Sequence, residues 1–260
     1  MSFLVKRKSW DAVRQSINSQ TMDEPILTLE ERRAINQGRW FFSLSPSLRH
    51  DILRCAQVKR FLDGDLIAAR GDPADQWIGC AKGAVRISSS SLTGKFITLD
   101  YVRPGIWFGD VTMVNGELRM HDLMAHGTTT ILNVAREDFE RLLTQYPEFS
   151  QALLKSQARR IQLLSNQVED LALLPLRARL AKQIHQLARN YGAPAHAPGE
   201  LRITLQLAQE ELAQMLGASR QRVNQELKDM ERKGVLRVEL SGLVICDQDA
   251  LLRIGEAADA

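Results

Sequence analysis

No stretch of the 260 residues approaches the roughly 20 consecutive apolar positions that a membrane-spanning helix needs. The longest candidates, such as Leu171-Ala-Leu-Leu-Pro-Leu176, stop far short. Lys6, Arg7 and Lys8 are followed by no apolar run, so the pattern of a secretory signal is not met. Cysteine is scarce: Cys55, Cys80 and Cys246 lie far apart and form no C-x-x-C pair, which leaves neither a zinc knuckle nor a cysteine-rich iron–sulfur cradle. A sparse, odd cysteine count fits a reducing cytoplasm. Charge of one sign is scarce too. The net charge of +3 is too small to imply nucleic acid, so any basic surface must be local. With 44% apolar and 25% charged residues the composition is that of a globular protein, and the length suits one large domain or two ordinary ones.

The hydrophobic period changes along the chain. Residues 1–27 show little periodicity and read as an extension, with a short helix expected around Trp10 to Ile17. Helical patterns follow from Leu29 to about Gly38 and from Ser47 to Ala56, the second started by Ser45-Pro46. From Arg60 to about Ala135 short apolar runs alternate with turn signals. These are Asp63-Gly64, Gly71-Asp72-Pro73, Lys82-Gly83, Thr93-Gly94, Pro104-Gly105 and Asn115-Gly116. A turn about every ten residues is the spacing of an all-β sandwich or barrel.

From Glu137 a helical period returns for over thirty residues, with one proline at Pro147. Leu154, Ile161 and Val168 are seven apart, as are Gln157, Leu164 and Leu171, offset by three. That is an a/d heptad seam, with β-branched residues at a and leucine at d, and it predicts a parallel two-stranded pairing of two copies through residues 150–174. A helix packed on its own barrel would show nearly the same stripe over this length. Pro175 interrupts the helix as a hinge. Another amphipathic helix, Arg177–Tyr191, leads through a Pro/Gly-rich stretch to a short strand at 201–205. Two more strands are expected at 235–240 and 243–246.

The sharpest signal lies between Gln209 and Lys233. A helix with apolar Leu212, Ala213 and Leu216 stops at Gly217, and Ser219 can cap a second helix by accepting a backbone N–H. That helix keeps Val223, Leu227 and Met230 on one stripe. Two amphipathic helices joined by so tight a turn make a helix-turn-helix. The second helix opens with Arg220, Gln221, Arg222, Asn224 and Gln225, and these are the side chains that read DNA. Arginine forks onto guanine, while glutamine and asparagine pair with adenine. Residues 214–237 hold six basic and three acidic side chains, so the local excess equals that of the whole chain.

The segment from Thr204 to Leu227 resembles the winged helix-turn-helix of the Crp/Fnr family of bacterial transcription regulators. The resemblance extends in order over about residues 38–252, through Ser43–Ala56, Phe61–Gly71, Gly105–Gly109 and Ala158-Arg159-Arg160. It implies an α+β fold with four parts. These are an extension (1–27), a double-stranded β-helix or jelly-roll sensor barrel like a cyclic-nucleotide-binding domain (28–145), a dimerisation helix with hinge (146–174), and a winged helix-turn-helix domain (175–260). It also implies a cytoplasmic homodimer on a near-palindromic double-stranded DNA operator, with RNA polymerase as a further partner and no membrane. The family's base-reading positions fall on Arg220, Gln221 and Gln225. Glutamine at the latter two departs from the Glu and Arg many members carry, which weighs against the operators usual in the family.

In cyclic-nucleotide-binding members the ligand sits in Phe-Gly-Glu followed by Arg-Ser/Thr-Ala. Glu takes the ribose hydroxyl, Arg the cyclic phosphate, and the hydroxyl residue donates to that phosphate. This chain has Phe108-Gly109-Asp110 and Arg119-Met120-His121. The resemblance places effector contacts at Gly109, Asp110, Arg119, Met120 and, on the long helix, Ser165. Asp110 is one methylene short, Met120 donates no hydrogen bond, and Leu164-Ser165 stands where cyclic-AMP responders carry Thr-Ser. These departures weigh against cyclic AMP and leave open another anionic effector, or a constitutive dimer with an empty barrel. Arg119 could equally serve a structural salt bridge with Asp110 or Asp122.

His121, Asp122 and His126 do not converge if they lie on one strand, so a metal site is not expected. The family's oxygen sensors carry a cysteine cluster near the N-terminus, and its haem sensors a His or Cys axial ligand. Here no cysteine precedes Cys55 and no local pattern marks such a ligand, so the resemblance implies neither an iron–sulfur cluster nor a haem. A barrel enzyme would need a His-x-His plus Glu set, which is missing, so the chain is not expected to be an enzyme.

Overall fold

A computed structural model describes residues 26–90, 96–239 and 242–256. The helix expected at Trp10 to Ile17 and the Thr93-Gly94 turn lie outside these residues. In chain order the elements are α1 (Leu29–Gln37), α2 (Arg39–Phe42), α3 (Pro46–Cys55), β1 (Gln57–Phe61), β2 (Leu66–Ala68), β3 (Gln76–Ser90), β4 (Phe96–Val102) and β5 (Trp107–Phe108). There follow α4 (Asp110–Asn115), β6 (Asp122–Ala135), α5 (Arg136–Gln145), α6 (Pro147–Leu173), α7 (Leu176–Tyr191), β7 (Gly192–Pro194) and β8 (Leu201–Ile203). The chain ends with α8 (Gln209–Met215), α9 (Arg220–Arg232), β9 (Leu236–Glu239), β10 (Gly242–Ile245) and α10 (Gln248–Glu256). The fold class is thus mixed helix and sheet, a β-sheet domain followed by a long helix and a helix-turn-helix. It divides into two compact units, one drawn from Met1–Arg86 and Tyr101–Leu153, the other from Ile87–Asp100 and Leu154–Ala260.

The larger sheet follows the path β1-β6-β3-β4, with β2 also paired to β6 and β5 to β3. β1 runs antiparallel to β6, from Gln57 opposite Asn133 to Phe61 opposite Thr129. The core lies between this sheet and the flanking helices. Trp77 from β3 is its centre, with its ring centroid 4.3 Å from that of Trp107, 5.6 Å from Trp40, 5.5 Å from Phe139 and 5.4 Å from Phe149. Ile35, Phe41, Leu48, Ile52 and Leu142 close around it, all fully buried. Aromatic side chains bury large apolar areas and pack best edge-on or offset, so one tryptophan joins three helices to the sheet.

Two expectations from the sequence are corrected here. Lys82-Gly83 is not a turn between strands: β3 continues through it as one strand of 15 residues. Gly83 adopts φ +69, and a Cβ there would stand 2.6 Å from the Thr128 carbonyl oxygen, so the glycine serves a close approach within the sheet. The helical run from Glu137 is not continuous either. Tyr146 is extended (φ −124, ψ 90), and α6 restarts at Pro147, whose ring clashes with a continuing helix but suits a first turn. Four elements went unread in the sequence, namely α2, α4, β7 and α10.

The second unit holds a four-stranded sheet in the order β7-β8-β10-β9. Against it pack α7 and α9, while α8 packs on α9 and α10 on α7, with Leu180, Ile184, Ile203, Leu212, Val223, Leu227, Met230, Val244 and Leu251 buried. Within α6 only Phe149 and Leu153, in its first turns, are buried among the apolar residues.

One buried carboxylate clamps the start of the first unit. Thr28 and Glu31 form a reciprocal capping box on α1, in which Glu31 accepts from the Thr28 amide at 2.8 Å. Glu31 also accepts from the Thr130 hydroxyl at 2.7 Å and the Arg60 guanidinium at 2.8 Å, while Arg60 donates to the Ile26 carbonyl. Burial pushes the Glu31 carboxyl up, but the Thr28 amide, the Thr130 hydroxyl and the Arg60 charge together outweigh it and hold the group below its ordinary 4.5. Its contribution is therefore complete above the ordinary carboxylate value and is lost as pH falls through the lower folded value. Glu31→Gln is expected to cost about 2 kcal/mol at neutral pH. In urea melts the gap between the two proteins should close in acid; a gap independent of pH would refute the charge's role.

Candidate nucleic-acid interface and sensor turn

The helix-turn-helix is built by local chemistry. Glu211 reaches back to accept from the Ala208 amide at 3.0 Å, starting α8. After α8 the backbone turns through Gly217 at φ +62, and the Ala218 amide closes onto the Ala213 carbonyl at 3.0 Å. Ser219 then caps α9: its hydroxyl accepts from the Arg222 amide at 3.3 Å. Val223, Leu227 and Met230 are buried, one turn apart along a single side. The other sides stay outside. Arg220, Gln221, Arg222 and Gln225 are exposed, Ser219 is exposed at the cap, and Asn224 is half-buried. A helix held by one stripe with its polar first turns open to solvent has the form that enters a major groove.

The neighbouring α7 holds both helices of this motif. Arg179 donates to the Leu216 carbonyl at 3.0 Å, putting a cation at the negative end of α8. Arg177 donates through Nε to Glu226 at 2.7 Å and through Nη2 to Asp229 at 2.9 Å. The hydrogen bond to Glu226, against the opposing effect of burial, raises the Arg177 pKa, and the charges of Glu226 and Asp229 raise it further. The local charge count needs one refinement. Arg237 on β9 is clasped by Glu200 and Glu239, at 3.0 and 3.1 Å, and Arg232 pairs with Asp229. These two cations are engaged within the domain, whereas Arg220 and Arg222 stand exposed on α9. Arg177, Arg179 and Glu226 were missed as site residues because their partners lie far away in sequence.

In the first unit the turn before α4 places Gly109 at φ +91, in the left-handed region that favours glycine. A Cβ there would lie 3.3 Å from the Gln76 carbonyl oxygen and 3.9 Å from Arg119 Nη1. Arg119 is buried and donates to the same Gln76 carbonyl at 3.1 Å. Burial depresses its pKa, and the charges of Asp75 and Asp72 oppose that. Gly109 and Arg119 are thus brought together, with Gln76 as a neighbour that no motif had flagged. Asp110 is buried at the start of α4, whereas Met120, beside Arg119, is exposed. Ser165 belongs to the second unit, exposed on α6. His121 is half-buried, its pKa lowered by burial and by the Arg70 charge. Among the described residues no three His, Cys, Asp or Glu side chains gather as a metal-ligating group.

Along the rest of α6 a stripe of apolar side chains faces solvent. Leu154, Ile161, Leu164, Val168 and Leu171 are each exposed by 59% or more, and Leu163 and Leu173 are exposed beside them. Among the described residues no helix is long and apolar enough to cross a membrane.

Comparison with known proteins agrees with this geometry. Residues 58–146 match the cyclic nucleotide-binding domain and residues 178–254 the Crp-like helix-turn-helix domain. The chain is 30% identical over 213 residues to the CRP-like cAMP-activated global transcriptional regulator of Mycobacterium tuberculosis, covering 82% of this chain and 94% of that one. It is 28% identical over 196 residues to the global nitrogen regulator of Synechocystis, covering 75% and 86%. The fold is shared with the c-di-GMP responsive global regulator CLP of Xanthomonas campestris, at a TM-score of 0.65 and 20% identity, covering 77% of this chain and 99% of that one. These relatives are DNA-binding transcription regulators rather than enzymes, and the chain belongs with them to the Crp/Fnr family of transcription regulators.

Proposed function

We propose that this regulator works as a cytoplasmic homodimer that reads a near-palindromic DNA site and responds to an anionic effector. The observation that carries the reading is α9. Its apolar stripe is buried while Arg220, Gln221, Arg222 and Gln225 project from its first turns. Arg220, Gln221 and Gln225 take base edges, and Arg222 with the Ser219 cap faces the phosphates. A two-fold pairing of α6 helices through Leu154, Ile161, Leu164, Val168 and Leu171 presents two such helices to half-sites about one helical turn apart. In this reading 28–145 is the sensor, 146–174 the dimer helix and hinge, 175–260 the DNA-binding domain, and RNA polymerase the downstream partner.

The effector is read from Gly109 and Arg119, a glycine turn beside a buried guanidinium, which suits a phosphate group. Among the relatives, the Mycobacterium protein is named as activated by cyclic AMP and the Xanthomonas protein as responsive to c-di-GMP. In this chain Met120 offers no hydroxyl and Asp110 is buried, which favours an anionic effector other than cyclic AMP. A second reading, a constitutive dimer with a ligand-free barrel, is favoured by one observation: Arg119 already donates to the Gln76 carbonyl.

Fluorescence anisotropy at fixed salt on a randomised-palindrome duplex pool, with and without cyclic AMP, cyclic GMP and cyclic di-GMP, separates the two. A nucleotide-dependent gain that disappears in Arg119→Ala supports the sensor, whereas tight selective binding indifferent to all three supports a different effector or the constitutive dimer. Arg220→Ala is expected to flatten base preference at one position per half-site, costing about 1–3 kcal/mol; an unchanged preference would remove its base-reading role. Ile161→Asp with Val168→Asp is expected to yield monomers in sedimentation equilibrium and to weaken operator binding; a surviving dimer would refute the seam.

A further inference from the structure

The α9 helix is gripped from the side as well as from beneath. Its stripe, Val223, Leu227 and Met230, opposes lifting but only weakly opposes a roll about the helix axis. Side-chain tips stand about 6 Å from that axis, so a roll of about 10° moves them by about 1 Å. A bidentate base contact tolerates less than that. Something must therefore fix the roll.

Arg177 is placed to do so. Its Nε and Nη2 reach separate carboxylates, Glu226 at 2.7 Å and Asp229 at 2.9 Å, which lie three residues apart on one flank of α9. Glu226 directly follows Gln225 in the chain, so the tether acts one residue from a proposed base reader. The position of Arg177 in its own helix is unfavourable. It sits in the first turn of α7, whose positive dipole end repels a cation, and that turn holds no acidic residue. Its partners lie wholly on α9. All three side chains are a quarter to a third exposed, and ion pairs so exposed add little to stability.

We propose that Arg177 is a positioning residue for base recognition, fixing the roll of α9 through its fork onto Glu226 and Asp229. This rests on the reading that α9 contacts bases through Arg220, Gln221 and Gln225. Arg177 follows Pro175 by two residues, so the fork ties the start of α7, just beyond the hinge, directly to the reading helix. Two other roles would place an arginine here. It could screen the two carboxylates from DNA phosphates, or contact a phosphate itself.

The test uses the full-length chain and a duplex pool randomised over two half-sites, with the enriched duplex compared against its scrambled form over a salt series. Arg177→Ala is expected to lose about tenfold in discrimination, with the salt slope and melting midpoint unchanged. The triple variant Arg177→Ala, Glu226→Gln, Asp229→Asn is expected to stay equally indiscriminate. Recovery in the triple variant would mean charge screening and overturn the proposal; so would a slope reduced by about one, the mark of a lost phosphate contact. Asp229→Asn removes one arm of the fork and gives the same direction of change should Arg177→Ala fold poorly. Arg220→Ala is the control. If it relaxes base preference and Arg177→Ala does not, the positioning role alone fails. If it leaves every preference intact, the base-reading assignment fails and takes this inference with it.

Discussion

The burial of Val223, Leu227 and Met230 is the constraint on which the DNA-binding unit depends. A helix that reads DNA must leave its polar face to solvent, so it is held through its remaining surface by its own domain. Three buried apolar side chains supply roughly 1.5–3 kcal/mol each, enough to dock a helix of 13 residues. They leave its orientation less determined than its position. The charged contacts around it, from Arg177 to Glu226 and Asp229 and from Arg179 to the end of α8, fall where the apolar stripe gives least guidance.

The first unit solves a different problem with a different device. There the aromatic cluster around Trp77 fixes helices to sheet by shape, and a buried carboxylate is admitted with partners. Glu31 is matched by Arg60 and two hydroxyl-bearing residues, Thr28 and Thr130. Arg119 is the informative contrast. A buried guanidinium with five donors is served here by one backbone carbonyl and by the field of two nearby aspartates. A buried cation so partnered retains capacity for an anion, which is why the proposed effector site is assigned to the Gly109–Arg119 pair rather than to any histidine cluster.

How much of this was legible in the sequence follows the range of each interaction. Ser45 at α3 and Ser219 at α9 cap their helices within three residues, and both were read from sequence. The paired turn and stripe of the helix-turn-helix were read for the same reason, as was the seam spacing on α6. Gly83 was misread because a left-handed glycine signals a turn or a kinked strand equally well, and only the approach of Thr128 decides between them. The run across Pro147 was misread because apolar periodicity on both sides concealed a single extended residue at Tyr146. The fork at Arg177 was invisible for another reason. Its partners are 49 and 52 residues away, and neither an arginine near a proline nor an acid inside a basic helix announces the other.

The long helix α6 shows how one element can be both complete and unfinished. Its first turns are anchored, with Phe149 and Leu153 buried in the core of the first unit. Beyond Leu153 it presents five leucine, isoleucine and valine side chains in heptad register. A contiguous apolar stripe of this length facing water marks an interaction surface rather than a stable monomer surface. The seam has β-branched Ile161 and Val168 at one set of positions and Leu164 and Leu171 at the other, the arrangement suited to two parallel strands. A parallel pair places its two C-terminal ends side by side, each leading within two residues to Pro175 and the start of α7. Under the proposed dimer, the geometry that spaces two reading helices would therefore be set where Arg177 begins, and small changes in the seam would reach the base-reading face through a single guanidinium.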